Sequence, residues 1–487
     1  MKTHKNPTLL ISLAICLFFL SMAFWFPVGF KSWIASSAYH ALDLFGSFYL
    51  YMGFFVVVIM AVLAFSPYGK LTLGSSKIEY SRFSWVAMLY STGMGAGLML
   101  RAVQEPVFYY TQPPRESNLS DSAFALEYTF FHWGLTPWAF YGMFGLIIAY
   151  LVYGKKRSML SSSILSGKFR HPSLLLPLDV ITIISTLFGV VGAVGLGSRQ
   201  LLAGYAMLFG QFEITYDNNA FMVLFLGSLA TISAFTGLSR GIRNLSRFNI
   251  AMALLLLVAA YLVGERVATF VNLYLGIKNY LLDFVPMSLN LDSMKVDKKF
   301  LMDWTYFYWA FWLAWAPFTG VFIARISQGR TIREFIIGVL VIPSLGTFLW
   351  FAVFGTQAFA LIGSPDSYQG DYDSLYGSIF VFFDHLPFPF IFKLLSLILV
   401  FTFLITSIDS AVYVLGMFSD QGKTEPQKSY LLIWGLLLVS FTVATIFIGK
   451  EELLAAVSQI LILIAIPFSV VFVLMIGVFL IILVRKN

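Results

Sequence analysis

The sequence predicts an all-α polytopic membrane protein with twelve transmembrane helices. Composition, the recurrence of long apolar runs and the placement of positive charge all lead there. Of the 487 residues, 59% are hydrophobic and 11% charged, and the mean hydropathy is +0.84, outside the range of a soluble globular domain. Runs of about 20 apolar residues, enough to cross a bilayer core, recur from end to end. Each must be a helix, because the bilayer offers no water to satisfy open backbone groups. The net charge of +7 is spread over short loops, so the expected surroundings are a lipid bilayer, with no nucleic acid.

Taken in order, the spans fall at about 8–26, 47–66, 84–110, 125–153, 177–207, 220–238, 246–274, 302–325, 335–362, 388–416, 429–449 and 454–484. The first could imitate a secretory signal. It is long for one, and the small residues at 35–38 lie well past its end, so it reads as a retained span. Most Lys and Arg sit in alternate loops, among them Lys155, Lys156, Arg157, Arg240, Arg243, Arg247, Arg325, Arg330 and Arg333. The other side has Lys31, Arg115, Lys278 and a few more. This asymmetry predicts a cell (inner) membrane protein with both termini cytoplasmic. Cys16, the one cysteine, excludes an intrachain disulfide. The short charged tails predict modest or absent osmotic activation.

Four spans carry unusual chemistry. The third holds STGMGAG at 91–97; Gly costs about 1 kcal/mol against Ala in a helix, so three at alternate positions predict unwinding there. The alternative is close helix packing through small residues. In the fourth, HWGLTPWAFY at 132–141, Pro137 predicts a bend beside Trp133, Trp138 and Tyr141. The eighth puts Tyr308, Trp312 and Trp315 in one helical stripe with Phe311 beside them, where Trp and Tyr normally sit at membrane interfaces. The stripe either holds a cation against ring faces or packs against its neighbours. Pro317 and Gly320 are expected to weaken this helix. The tenth carries TSIDS at 406–410, hydroxyls that either coordinate a cation or bond to the backbone one turn back. Gly95, Trp138, Trp312 and Thr406 all fall near the middle of their spans, the depth at which secondary transporters build substrate sites from broken helices.

These motifs resemble the betaine/choline/carnitine transporter family. The likeness is most specific in WAFWLAWAPFTGVFIARISQGRTIREF at 309–335, with GMGAGLM at 93–99, Glu105-Pro106, HWGLTPWAFY, the GLG at 195–197 and TSIDS in the family's order. It implies a LeuT-type core of two inverted five-helix repeats preceded by two extra helices. On that plan 1–83 holds the extra helices, 84–274 the first repeat, 275–301 an external connection and 302–487 the second repeat. It implies a homotrimer and a trimethylammonium or related onium substrate such as glycine betaine or choline. Trp133, Trp138, Tyr141 and Trp312 match the family's aromatic box. Phe311, Trp315 and Trp309 belong to the same helix and are expected to serve the transport pathway, and the unwound 93–97 segment, with Gly93, Met94 and Gly95, is expected to face the substrate's other end. It also implies sodium as the coupling ion, bound by Ser91, Met94, the Phe403 backbone, Thr406 and Ser407.

The chain departs from the pattern in places. Phe311 replaces the second tryptophan of a pair. Arg101 is unusual: four residues before Glu105, it suggests a structural Arg–Glu pair, or else a contact for a substrate carboxylate. Arg199 is expected to snorkel to an interface or to stand in for a sodium. Asp303 and Asp409 read as gating or capping acids. Gly97 carries no acid to meet a cationic substrate, which favours a zwitterion. A sodium-independent exchanger is the rival within transport. A channel would show a polar lining along one helix, a sensor would carry an output domain, and an enzyme would need clustered acids or metal ligands that the sequence lacks.

Overall fold

Proline and glycine stand at many of the helix boundaries in the computed structural model, which describes residues 6–74, 78–93, 95–165, 172–210, 213–236 and 241–485. Pro7 starts the first helix, Pro7–Trp25, and Pro27 the second, Pro27–Phe65; proline suits a first turn because its missing N–H would have no partner there. The second helix is 39 residues long, so the stretch read as a loop before residue 47 is helical. Nothing between Pro27 and Phe65 breaks it, and only the 20-residue rule for a crossing had shortened it.

Among the described residues, eleven helices are long and apolar enough to cross a membrane. The twelfth expected crossing is the third span, which is divided into Arg82–Gly93, Gly97–Arg101 and Gln104–Thr111. The first break is the predicted one, with Gly95 at φ +45°, a left-handed conformation that glycine tolerates. The second, at 102–103, was not predicted. Pro106 explains it: its ring conflicts with the carbonyl four residues back, that of Ala102. The seventh span, Gly241–Val263, ends before Gly264 rather than at 274, and Arg266–Ser288 is a separate helix. The eighth, Lys298–Ile326, stays helical through Pro317 and Gly320, against expectation.

Spans three to seven and eight to twelve exchange roles in the packing. The fifth lies against the eighth, eleventh and twelfth, as the tenth lies against the third, sixth and seventh. The third meets the seventh and ninth where the eighth meets the twelfth and fourth. Five crossings are an odd number, so the second set runs through the bilayer in the opposite sense. This is the inverted-repeat core.

Glycines set the closest helix approaches. The fourth and eighth spans meet where a Cβ on Gly320 would lie 2.9 Å from the Gly145 nitrogen and 3.0 Å from the Tyr141 carbonyl oxygen. Gly189 of the fifth span faces the eighth, with Ala314 O 2.8 Å from where its Cβ would be.

On the face that carries both described ends of the chain, the loop after the second span pairs with the loop after the eighth. Leu73 N–H donates to Arg330 O (2.8 Å), Gly329 N–H to Leu73 O (2.9 Å) and Ile332 N–H to Leu71 O (2.8 Å). Arg330 is 1% exposed, lies 4.0 Å over the Trp85 ring and is ion-paired to Glu334. Arg333 donates to Ala64 O at the end of the second span.

Candidate functional site

The site starts from a helix that proline cannot continue. Pro137 conflicts with the Trp133 carbonyl, so the fourth span stops at Trp133 and restarts at Leu135. The freed backbone groups find partners on other helices. Leu135 N–H donates to the Tyr280 hydroxyl at 3.1 Å, and the Trp312 indole N–H donates to His132 O at 3.0 Å. A break in one span thereby fixes the ring of another.

Around Trp312 the predicted aromatic residues come together. Trp133 meets it edge to face at 5.1 Å between ring centroids, and Tyr141 does so at 6.2 Å. Trp138 touches Tyr141 at 5.7 Å. All four are buried. The Trp138 N–H and the Tyr141 hydroxyl have no hydrogen-bond partner among the described residues, a costly condition for buried donors and one that a ligand acceptor would relieve. Phe311 stacks on Trp315 at 5.9 Å, and Trp315 donates to Gly189 O at 2.7 Å.

Beside this cluster lies a cavity of about 60 Å³, room for a few waters and smaller than an open ligand pocket. Trp133, Tyr308, Phe311, Trp312 and Trp315 line one side, with Gly97, Arg101 and Ser407 among the other lining residues. Trp138 and Tyr141 are not among its lining residues; Tyr141 touches Trp312, and Trp138 touches Tyr141 and stacks on Tyr90. The rings touch one another, so seating a ligand between them requires that they part.

Sequence reasoning missed the residue that organises the rings. Glu105 is fully buried and its carboxylate accepts from Trp133 Nε1 at 2.9 Å, from the Tyr308 hydroxyl and from the Tyr109 hydroxyl at 3.4 Å. Tyr109 also hydrogen-bonds His132 Nδ1 at 2.8 Å, and His132 Nε2 reaches Thr305 Oγ1 at 3.0 Å. An acid beside a proline inside a span was the available signal, but the spacing to Arg101 misdirected it. The expected Arg101–Glu105 pair does not form, because the helix is broken between them and the i,i+4 relation is lost. Arg101 instead donates to Gln104 Oε1 at 2.5 Å and lies 5.2 Å over the Trp304 ring.

On the tenth span the Thr406 hydroxyl is engaged within the protein. Thr406 Oγ1 donates to Phe403 O (2.9 Å) and Thr402 O (3.1 Å) and accepts from Asn249 Nδ2 (3.4 Å). A Cβ on Gly95 would sit 3.4 Å from Ser407 Oγ, so this hydroxyl faces the third-span break. Met94 and the side chain of Ser91 lie outside the described residues, and Gly93 ends the first helical piece of that span. Of the other singled-out charges, Arg199 donates to Lys450 O at 3.0 Å and lies over Tyr376. Asp303 pairs with Lys299, and Asp409 accepts from Ser233 at 2.5 Å. No group of three or more His, Cys, Asp or Glu that could hold a metal occurs among the described residues.

Comparison with known proteins matches residues 7–487 to the model of the betaine/carnitine/choline transporter family. The chain is 38% identical over 444 residues to the glycine betaine transporter OpuD of Bacillus subtilis, covering 89% of this chain and 86% of that one. It is 34% identical over 487 residues to the ectoine/hydroxyectoine transporter of Virgibacillus pantothenticus, covering 98% and 96%. Among solved structures, MhsT in complex with L-phenylalanine is a remote likeness, with a TM-score of 0.46 and 10% identity over 82% of this chain and 99% of that one.

Proposed function

The chain belongs to the betaine/carnitine/choline transporter family, and from that premise we propose that it is a sodium-coupled importer of an onium substrate, glycine betaine foremost. The observation that carries the reading is the Trp133–Trp312–Tyr141 cluster, held by the His132 carbonyl and the Glu105 carboxylate. A quaternary ammonium donates no strong hydrogen bond, so it gains more from ring faces in a dry pocket, about 0.5–2 kcal/mol each, than from polar side chains. Binding parts the rings and fills the space between them; alternating access then passes the substrate across.

Sodium coupling is supported by Ser407 Oγ, which faces the third-span break, the kind of unwound backbone at which transporters coordinate Na⁺, and by the Phe403 and Thr406 oxygens hydrogen-bonded to each other on the same span. Ser91 and Met94 enter the set by resemblance, and a homotrimer is proposed on the same ground. Cytoplasmic termini are supported by Arg82, Arg157, Arg247 and Arg330 gathering on the face that carries both described ends of the chain.

The test is uptake of labelled glycine betaine and choline into proteoliposomes, with and without an inward sodium gradient. Sodium-dependent accumulation of glycine betaine supports the reading. Exchange that ignores sodium replaces it with an exchanger of the same family, and uptake of neither compound removes the substrate assignment. Thr406→Ala is expected to raise the sodium concentration for half-maximal uptake about tenfold, the effect of one lost oxygen contact to a charge. An unchanged sodium dependence would remove the tenth span from the ion site.

A further inference from the structure

Arg101 is a buried charge that the aromatic cluster and the ion site leave unused. It is 7% exposed and lines the cavity beside Trp133, Tyr308 and Trp312. Among the described residues no carboxylate lies within ion-pairing distance of it. Glu105, its nearest acid in sequence, is engaged by Trp133, Tyr308 and Tyr109. The guanidinium is held by one hydrogen bond to Gln104 and by the faces of Trp304 and Tyr308, 5.2 and 6.0 Å from its carbon. Arginine has five N–H donors in a fixed fork, so ring faces and one amide oxygen leave most of that fork unused. An intramembrane charge without a counter-ion is expensive and marks a functional position by default.

We infer that Arg101 is the specificity residue of the cavity, taking the carboxylate of a zwitterionic onium substrate while the aromatic rings take its cationic end. The inference rests on the proposed function and adds which onium compounds the site accepts. Among the described residues, Arg101 is the one charged side chain lining the cavity. A ligand that is only a cation meets like charge there and gains nothing from the fork. A ligand that carries a carboxylate exchanges its hydration for paired charge-assisted hydrogen bonds. The distances suit one small molecule: Tyr308 links the two ends, 6.0 Å from the guanidinium and 5.8 Å from the Trp312 ring. The second helix break makes this possible, since an unbroken third span would have given Arg101 to Glu105. The arrangement selects for glycine betaine and against choline by repulsion as well as attraction.

The experiment measures KM for glycine betaine and Ki for choline in proteoliposomes of the wild-type protein, Arg101→Gln and Arg101→Lys. Arg101→Gln is expected to raise the glycine betaine KM about 10- to 100-fold and to lower the choline Ki. Arg101→Lys, which keeps the charge without the fork, should recover part of the loss. A purely structural role for Arg101 would move both constants together, and that result, or no change in either, overturns the inference. If the wild-type protein handles neither compound, the proposed function itself fails, and the inference with it.

Discussion

Trp312→Leu weakens substrate binding by about two orders of magnitude while the protein still elutes as a single species. The expectation follows from the position of the ring. Trp312 touches Trp133, Tyr141, Tyr308 and Phe311, so its removal takes away one aromatic face and loosens the others. A desolvated cation–π contact contributes about 2 kcal/mol, and the His132 carbonyl loses its donor as well. Leucine keeps apolar bulk and limits the cavity that alanine would leave, a truncation that costs about 3–5 kcal/mol in a core. Trp312→Phe keeps a face and loses only the N–H, so it should lie between. Equilibrium binding of labelled glycine betaine checks the series. Wild-type affinity in Trp312→Leu would remove the eighth span from the substrate site.

Gly320→Val abolishes folding of most of the protein. At this crossing a Cβ alone would lie 2.8 Å from Phe144 Cδ1 and about as close to two backbone atoms of the fourth span. A side chain can move aside; the Gly145 nitrogen and the Tyr141 carbonyl cannot without separating the helices. Overpacking of a core typically costs about 1–3 kcal/mol, and here the obstacle is backbone, so the upper end or beyond applies. Any surviving protein should bind substrate poorly, because Tyr141 and Trp312 ride on the two displaced helices. The control is Gly477→Val in the twelfth span, where nothing lies within 4 Å of the added carbon. Size-exclusion profiles and thermal melts of the two variants should differ clearly.

The fold was legible because membrane constraints leave few choices. A run of apolar residues in lipid must be helical, and charge in short loops orders the crossings. What escaped were features that depend on a single residue's backbone consequence. Pro106 was read within a motif, not as the cause of a second break, so Arg101 and Glu105 appeared to share a helix face. The network through Glu105, Tyr308, His132 and Thr305 joins residues up to 203 positions apart, and no local spacing announces it. The aromatic cluster was legible in part. Trp133 and Tyr141 both meet Trp312, yet Trp138 and Tyr141 are not among the residues that line the cavity. Of the tenth-span hydroxyls, that of Ser407 faces the break and that of Thr406 bonds to its own span and to Asn249, while Met94 and the Ser91 side chain lie outside the described residues.

The paired loops after the second and eighth spans constrain how the carrier can open. Three backbone hydrogen bonds, the Arg330–Trp85 stack and the Arg333–Ala64 contact bolt the ends of spans two, three, eight and nine into one block. Each such bond contributes about 0.5–1.5 kcal/mol net, and they must be lost together, so a gap within the block is a rare event. An opening on this face would therefore run along the block's edge and not through it. Arg325 of the eighth span lies 5.1 Å over Tyr413 of the tenth, a contact that crosses this edge and would have to part in such an opening.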